Sequence, residues 1–92
     1  MADLLALEDF TPAVGEPFTI AFADGELTLT LAEARPLSAE TGNARDPFAL
    51  TFHGPAELAL PQATYTLSHA RLGAQDIFLV PVAAGEYEAI FT

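Results

Sequence analysis

From Pro17 onward the chain alternates apolar and polar residues with a period of two. Phe18, Ile20 and Phe22 are interleaved with Thr19 and Ala21, and Leu27, Leu29 and Leu31 with Thr28 and Thr30. Successive side chains of a strand point to opposite faces, so each run predicts a half-buried strand. Asp24-Gly25 lies between them, and the spacing predicts a hairpin pairing 18–22 with 27–31 across a type I′ turn on that dipeptide. Further on, Phe48, Leu50 and Phe52 predict a third strand over 48–53, ended by Gly54-Pro55. Residues 57–60 predict a short edge piece before Pro61. Thr64 to His69 predicts a strand with Tyr65, Leu67 and His69 on one face and Thr64, Thr66 and Ser68 on the other. Ile77 to Val82 is apolar on both faces, Ala84-Gly85 turns the chain, and Tyr87 to Phe91 closes it.

Upstream of these runs the pattern differs. Leu4, Leu7 and Phe10 fit one short helical face, stopped by Pro12 and Gly15. The same residues, with Leu5, could instead form an irregular arm laid over one end of a barrel. Residues 33–47 hold Pro36, Ser38, Thr41, Gly42, Asn43 and Pro47 and predict a long loop. Together these features predict a single all-β domain, 1–92. The expected architecture is a compact antiparallel barrel or sandwich of about six to seven short strands with a short N-terminal helical or irregular arm.

Composition narrows the function classes. Half of the 92 residues are apolar, too many for a disordered segment despite a formal charge of -10. Without cysteine there are no disulfides and no thiolate metal sites. No apolar run approaches the roughly 18 residues of a membrane span, so membrane insertion is not expected. MADLLALEDF lacks a basic n-region and carries Asp3, Glu8 and Asp9, which excludes a Sec signal. The expectation is synthesis in the cytoplasm, with later assembly into a tail-like or extracellular structure left open. Thirteen acids face three arginines and no lysine. Such a surface repels phosphate backbones and anionic membranes, so no nucleic-acid partner is expected.

The inventory for catalysis is poor. Ser38 and Ser68 lie in no nucleophile-elbow motif, and Ser68 and His69, adjacent on a strand, face opposite ways. His53, His69 and Glu57 show no metal-ligand spacing. Glu86 and Glu88 share a strand face that reads as solvent-facing, and the Asp24/Glu26 turn lacks the spacing of a calcium loop. Gln62, between Pro61 and a strand, reads as a residue that locks the start of that strand. The residues predict no catalytic, cofactor or metal site. Two kinds of binding residue remain. Ile77, Leu79, Val80 and Val82 are interface candidates, because an apolar strand containing Pro81 suggests a sheet edge covered by residues 4–10 or by another chain. Tyr65, His69 and Tyr87 are ligand-contact candidates, offering ring faces with polar tips.

Several segments carry a resemblance. Pro47-Phe48-Ala49-Leu50-Thr51-Phe52-His53-Gly54-Pro55, Leu60-Pro61-Gln62 with Tyr65, His69 with Leu72-Gly73, Phe78-Leu79-Val80-Pro81-Val82 and Tyr87-Glu88-Ala89-Ile90-Phe91 resemble a small bacterial domain family of unknown function. Phe10, Val14-Gly15 and Phe18 fit its start. Members of that family are encoded close to proteins resembling phage tail-collar or tail-fibre proteins. The resemblance implies a structural or assembly role in a phage-tail-like or surface-fibre system and transfers no catalytic residue. The expected function is therefore a non-enzymatic assembly or protein-interaction module that self-associates or binds a protein partner. The alternative is a small-ligand or carbohydrate-binding β-barrel.

Overall fold

In a computed structural model the period-two runs become six antiparallel strands: β1 (Pro17–Phe22), β2 (Gly25–Pro36), β3 (Phe48–His53), β4 (Ala63–His69), β5 (Gly73–Ala83) and β6 (Glu86–Phe91). The structure describes residues 6–23, 25–37, 47–57 and 59–91. The strands close into a barrel in the order β1-β2-β3-β6-β5-β4, with β4 returning to β1. The chain thus contributes two three-stranded meanders, β1–β3 and β4–β6. They meet where β3 pairs with β6 and where β1 pairs with β4.

The alternating sets point inward as the pattern predicts. Phe18, Ile20, Leu27, Leu29, Leu31, Phe48, Leu50, Phe52, Leu67, Ile77, Leu79, Tyr87 and Ala89 form one buried cluster. A six-stranded barrel is narrow, and side chains fill it. Aromatic contacts order this core: Phe18 meets Phe52 edge-on at 5.3 Å, and Phe48 stacks on Phe91 at 4.6 Å.

The upper end holds the starts of β1, β3 and β5 and the ends of β2, β4 and β6. It is stoppered by the N-terminal segment, where a four-residue helix, α1 (Leu7–Phe10), runs into a 3-10 turn over Thr11–Ala13. Asp9 folds back so that the Ala6 amide donates to its Oδ2 at 2.7 Å. Phe10 is fully buried against Phe48 and Phe91, with ring centroids 5.8 and 5.6 Å away. This is the arm over one end of a barrel; Leu4 and Leu5 lie outside the described residues.

The lower end is closed by the chain itself. β3 and β4 lie on opposite sides of the ring, so residues 54–62 must cross its full width. Leu60 packs against the core from this crossing. Gly54 N–H donates to the Gly85 carbonyl at 2.8 Å. Gly85 has φ of 71°, and a Cβ there would stand 2.7 Å from the Gly54 carbonyl oxygen, so both conformation and space require glycine.

Four expectations are corrected. Phe22 pairs with Gly25, so Gly25 belongs to the ladder and not to the turn expected on Asp24-Gly25. Gly25 is the first residue of β2, with φ of 156°, an extended conformation that a Cβ makes costly. Asp24 itself lies outside the described residues. Residues 33–36 belong to β2 rather than to the loop, because β3 extends the ladder with Arg35 opposite Ala49 and Pro36 opposite Phe48. Residues 38–46, Ser38 among them, are outside the described residues. Residues 57–60 form no strand: a turn occupies 56–57, and β4 pairs directly with β1 and β5. Finally, 77–82 is not a sheet edge. β5 has β4 on one side and β6 on the other. Pro81 is tolerated because it sits at a register shift between Pro81 and Ala83, where the ladder is already interrupted. Among the described residues the N-terminal arm caps the barrel end and packs on β2.

Candidate functional site

The closed ring divides the four interface candidates by face. Ile77 and Leu79 point into the barrel and are buried, so they hold the core and cannot meet a partner. Val80 is half-buried, and Val82 is 52% exposed on the outer wall. The wall also shows Phe78 at 48% and Ile90 at 49%. Val80 pairs with Glu88 in the antiparallel ladder. Two residues beyond that pair along each strand come Phe78 on β5 and Ile90 on β6. The outcome is an apolar strip on the outside of β5 and β6. Phe78 was legible as part of the two-faced run. Ile90 was signalled only by its phase, since it falls between Ala89, which is buried, and Phe91, which packs on the core.

The neighbouring wall is polar. Glu86, Glu88 and Glu33 lie on the outside with Arg35 among them. Arg35 donates from Nη2 to Glu88 Oε2 at 2.9 Å, and its Nε lies 3.9 Å from Glu33 Oε1. This clasp runs from β2 to β6 over β3, which accounts for Ala49 and Thr51 facing outward yet being 1% and 8% exposed. Asp76, on β5, accepts from Thr66 Oγ1 at 2.6 Å.

The three ligand-contact candidates are not brought together. Tyr65 and Tyr87 stand near the lower end, and His69 ends β4 at the upper end. Tyr65 O–H donates to the Pro61 carbonyl at 2.6 Å, and its ring meets Phe22 edge-on at 6.5 Å. Burial pushes the Tyr65 phenol above its ordinary value, and the neighbouring Tyr87 adds to the rise. Tyr87 Oη accepts from the Leu60 amide at 3.0 Å, so both tyrosines tie the crossing segment to the barrel. Tyr65 thus locks the start of β4, the role expected of Gln62, which is exposed.

His69 is held on every side. Its Nδ1 accepts from the Arg71 and Leu72 amides at 3.1 and 3.2 Å. Two N–H donors at Nδ1 leave the proton on Nε2, which donates to Glu16 Oε1 at 2.7 Å. The ring stacks on Phe18 at 4.7 Å. His53 lies at the lower end, 3.9 Å from Glu86, so the two histidines and Glu57 do not converge. Among the described residues no three His, Asp or Glu side chains group as metal ligands. Ser68 and His69 face opposite ways, as the strand period requires.

The fold thus defines a small closed β-barrel, plugged at both ends, whose polar side groups serve its closure. The chain belongs to a family described as a domain of unknown function, DUF6916, whose model matches residues 5–91. No curated protein and no solved structure matches it. No helix among the described residues is long and apolar enough to cross a membrane.

Proposed function

We propose that this chain is a non-enzymatic interaction module that joins a larger assembly through the outer wall of β5 and β6. The observation that carries this reading is that Phe78, Val82 and Ile90, three large apolar side chains about half exposed, all lie on the outer wall of β5 and β6. The tail-like or surface-fibre setting implied by the resemblance belongs to the same proposal, with synthesis in the cytoplasm before assembly. A catalytic role draws no support from the site. The hydroxyls of Tyr65 and Tyr87 and both nitrogens of His69 are engaged in holding loops. A ligand-binding barrel draws little, because the interior is filled and the three candidate residues stand at opposite ends.

The test is light scattering over a low-to-high micromolar dilution series, together with capture of partners from the native host, for wild type, Phe78→Asp and Ile90→Asp. The expected result is association or capture by wild type and its loss in both variants, with melting temperatures nearly unchanged. A wild-type chain that stays monomeric, with capture indifferent to both substitutions, overturns the reading.

A further inference from the structure

The apolar side chains on the outer wall of β5 and β6 are set among carboxylates. The outward residues of β5 include Asp76, Phe78, Val80 and Val82, and those of β6 are Glu86, Glu88 and Ile90. Beyond β3, Glu33 and Arg35 of β2 stand on the same outer surface. The wall thus holds four carboxylates and one guanidinium, and the carboxylates are not equally satisfied. Glu88 holds Arg35 Nη2 at 2.9 Å, and Glu33 lies 3.9 Å from Arg35 Nε, so Arg35 is committed to its own chain. Asp76 Oδ1 accepts the Thr66 hydroxyl at 2.6 Å, a neutral partner. Glu86 has His53 at 3.9 Å, a ring that is charged only when protonated. Among the described residues neither Asp76 nor Glu86 is paired with an arginine. Two carboxylates without a permanent cation therefore flank Phe78 and Val82.

We propose, resting on the outer-wall reading above, that the partner seated on this wall is a different protein chain whose contact surface sets apolar side chains among lysines or arginines. A second copy of this chain fits poorly. A two-fold pairing of the wall sets the same patch against itself, so carboxylates face carboxylates. Each copy brings no lysine and only three arginines, of which Arg35 is already engaged. Like charges brought together in that way oppose association, and the formal charge of -10 on each copy slows their encounter in any orientation. A cationic protein reverses both effects. The field of the whole chain steers it in, and its cations pair with Glu86 and Asp76 at the rim. Phe78, Val82 and Ile90 then leave water against its apolar side chains. Nucleic acid and anionic lipid are repelled by the same field.

The probes are synthetic peptides of equal length that alternate leucine with lysine, leucine with glutamate, or serine with lysine, each carrying a fluorophore. Binding to the full chain is read by anisotropy across a salt series. The expected result is binding of the leucine–lysine peptide alone, weakening as salt rises. Phe78→Asp and Ile90→Asp should each weaken it about tenfold or more, although both add a negative charge. Glu86→Gln and Asp76→Asn should each weaken it about two- to fivefold, the scale of an exposed ion pair. Glu26→Gln is the control. It removes the same charge from an exposed site on β2, across the ring from β5, and should leave the affinity unchanged. Equal weakening by Glu26→Gln and Glu86→Gln overturns the proposal, since net charge alone then explains binding. So does equal binding of the serine–lysine or leucine–glutamate peptide, or binding of none. If Phe78→Asp and Ile90→Asp fail to fold, Glu86→Gln against Glu26→Gln decides alone. A wild-type chain that self-associates through Phe78 and ignores the leucine–lysine peptide overturns the cationic partner and leaves the outer-wall reading standing.

Discussion

The two ends of this barrel are closed by different physics. At the upper end a segment outside the ring buries Phe10 against Phe48 and Phe91, and Ala13 in the same core, an apolar stopper whose hold scales with buried area. At the lower end the barrel's own connection crosses the opening and is held by directed contacts: Gly54 to Gly85, Leu60 to Tyr87, and Tyr65 to Pro61. A buried ring is worth more than any single neutral hydrogen bond. The upper end should therefore dominate stability, and the lower end should dominate the placement of β4. The outer wall belongs to neither closure.

The largest effect expected is that of Phe10→Ala. Emptying the stopper should cost about 3–5 kcal/mol, the usual range for a fully buried Phe. Urea denaturation checks it, and a loss below about 1 kcal/mol would show that the arm only rests on the barrel. Gly85→Val attacks the lower end sterically. It forces a β-branched side chain to adopt φ of 71° against the Gly54 carbonyl, and a loss of roughly 2 kcal/mol or more is expected in the same assay. Tyr87→Phe should cost about 1–2 kcal/mol, because the Leu60 amide loses its acceptor. If the stability of Tyr87→Phe matches wild type, the crossing is held by packing alone.

Alkaline titration probes the same end more gently. The Tyr65 phenol is raised above its ordinary 10.0, so the folded state favours the neutral form. Its contribution is complete below that value, and it is lost as pH rises past it, when the unfolded chain ionises first. Melting temperature measured from neutral to strongly alkaline pH should fall through this range in wild type and less so in Tyr65→Phe. Smallest of all, Phe78→Asp on the exposed wall should change stability by about 0.5 kcal/mol or less. A large loss there would move Phe78 from the interface to the structural core.

Much of this molecule was legible from alternation alone. Phe18, Ile20, Leu27, Leu29, Leu31, Phe48, Leu50 and Phe52 face inward as their phase demands, because a one-residue slip would turn the whole set to solvent. The hairpin was legible too, although Gly25 lies in its ladder and not in its turn. Asp-Gly suggested a type I′ turn, yet the ladder runs on to pair Gly25 with Phe22. The short helical arm could also be read, since it follows from neighbours close in sequence.

Ring closure could not be read. Pro81 marks an edge by the local rule, and only the pairing of β1 with β4 shows that the barrel has none, Pro81 sitting at a register shift instead. The separation of Tyr87 from His69 likewise depends on strand order. So do the Arg35–Glu88 clasp over β3 and the Glu16–His69 hydrogen bond, each joining residues 53 positions apart. Amino-acid sequence by itself set which residues are inward, because the strand period is a local property of the backbone. Only the tertiary structure decided which strands are neighbours. That choice rests on long-range pairing and on the fit of one filled interior, and neither is encoded in any short stretch of chain.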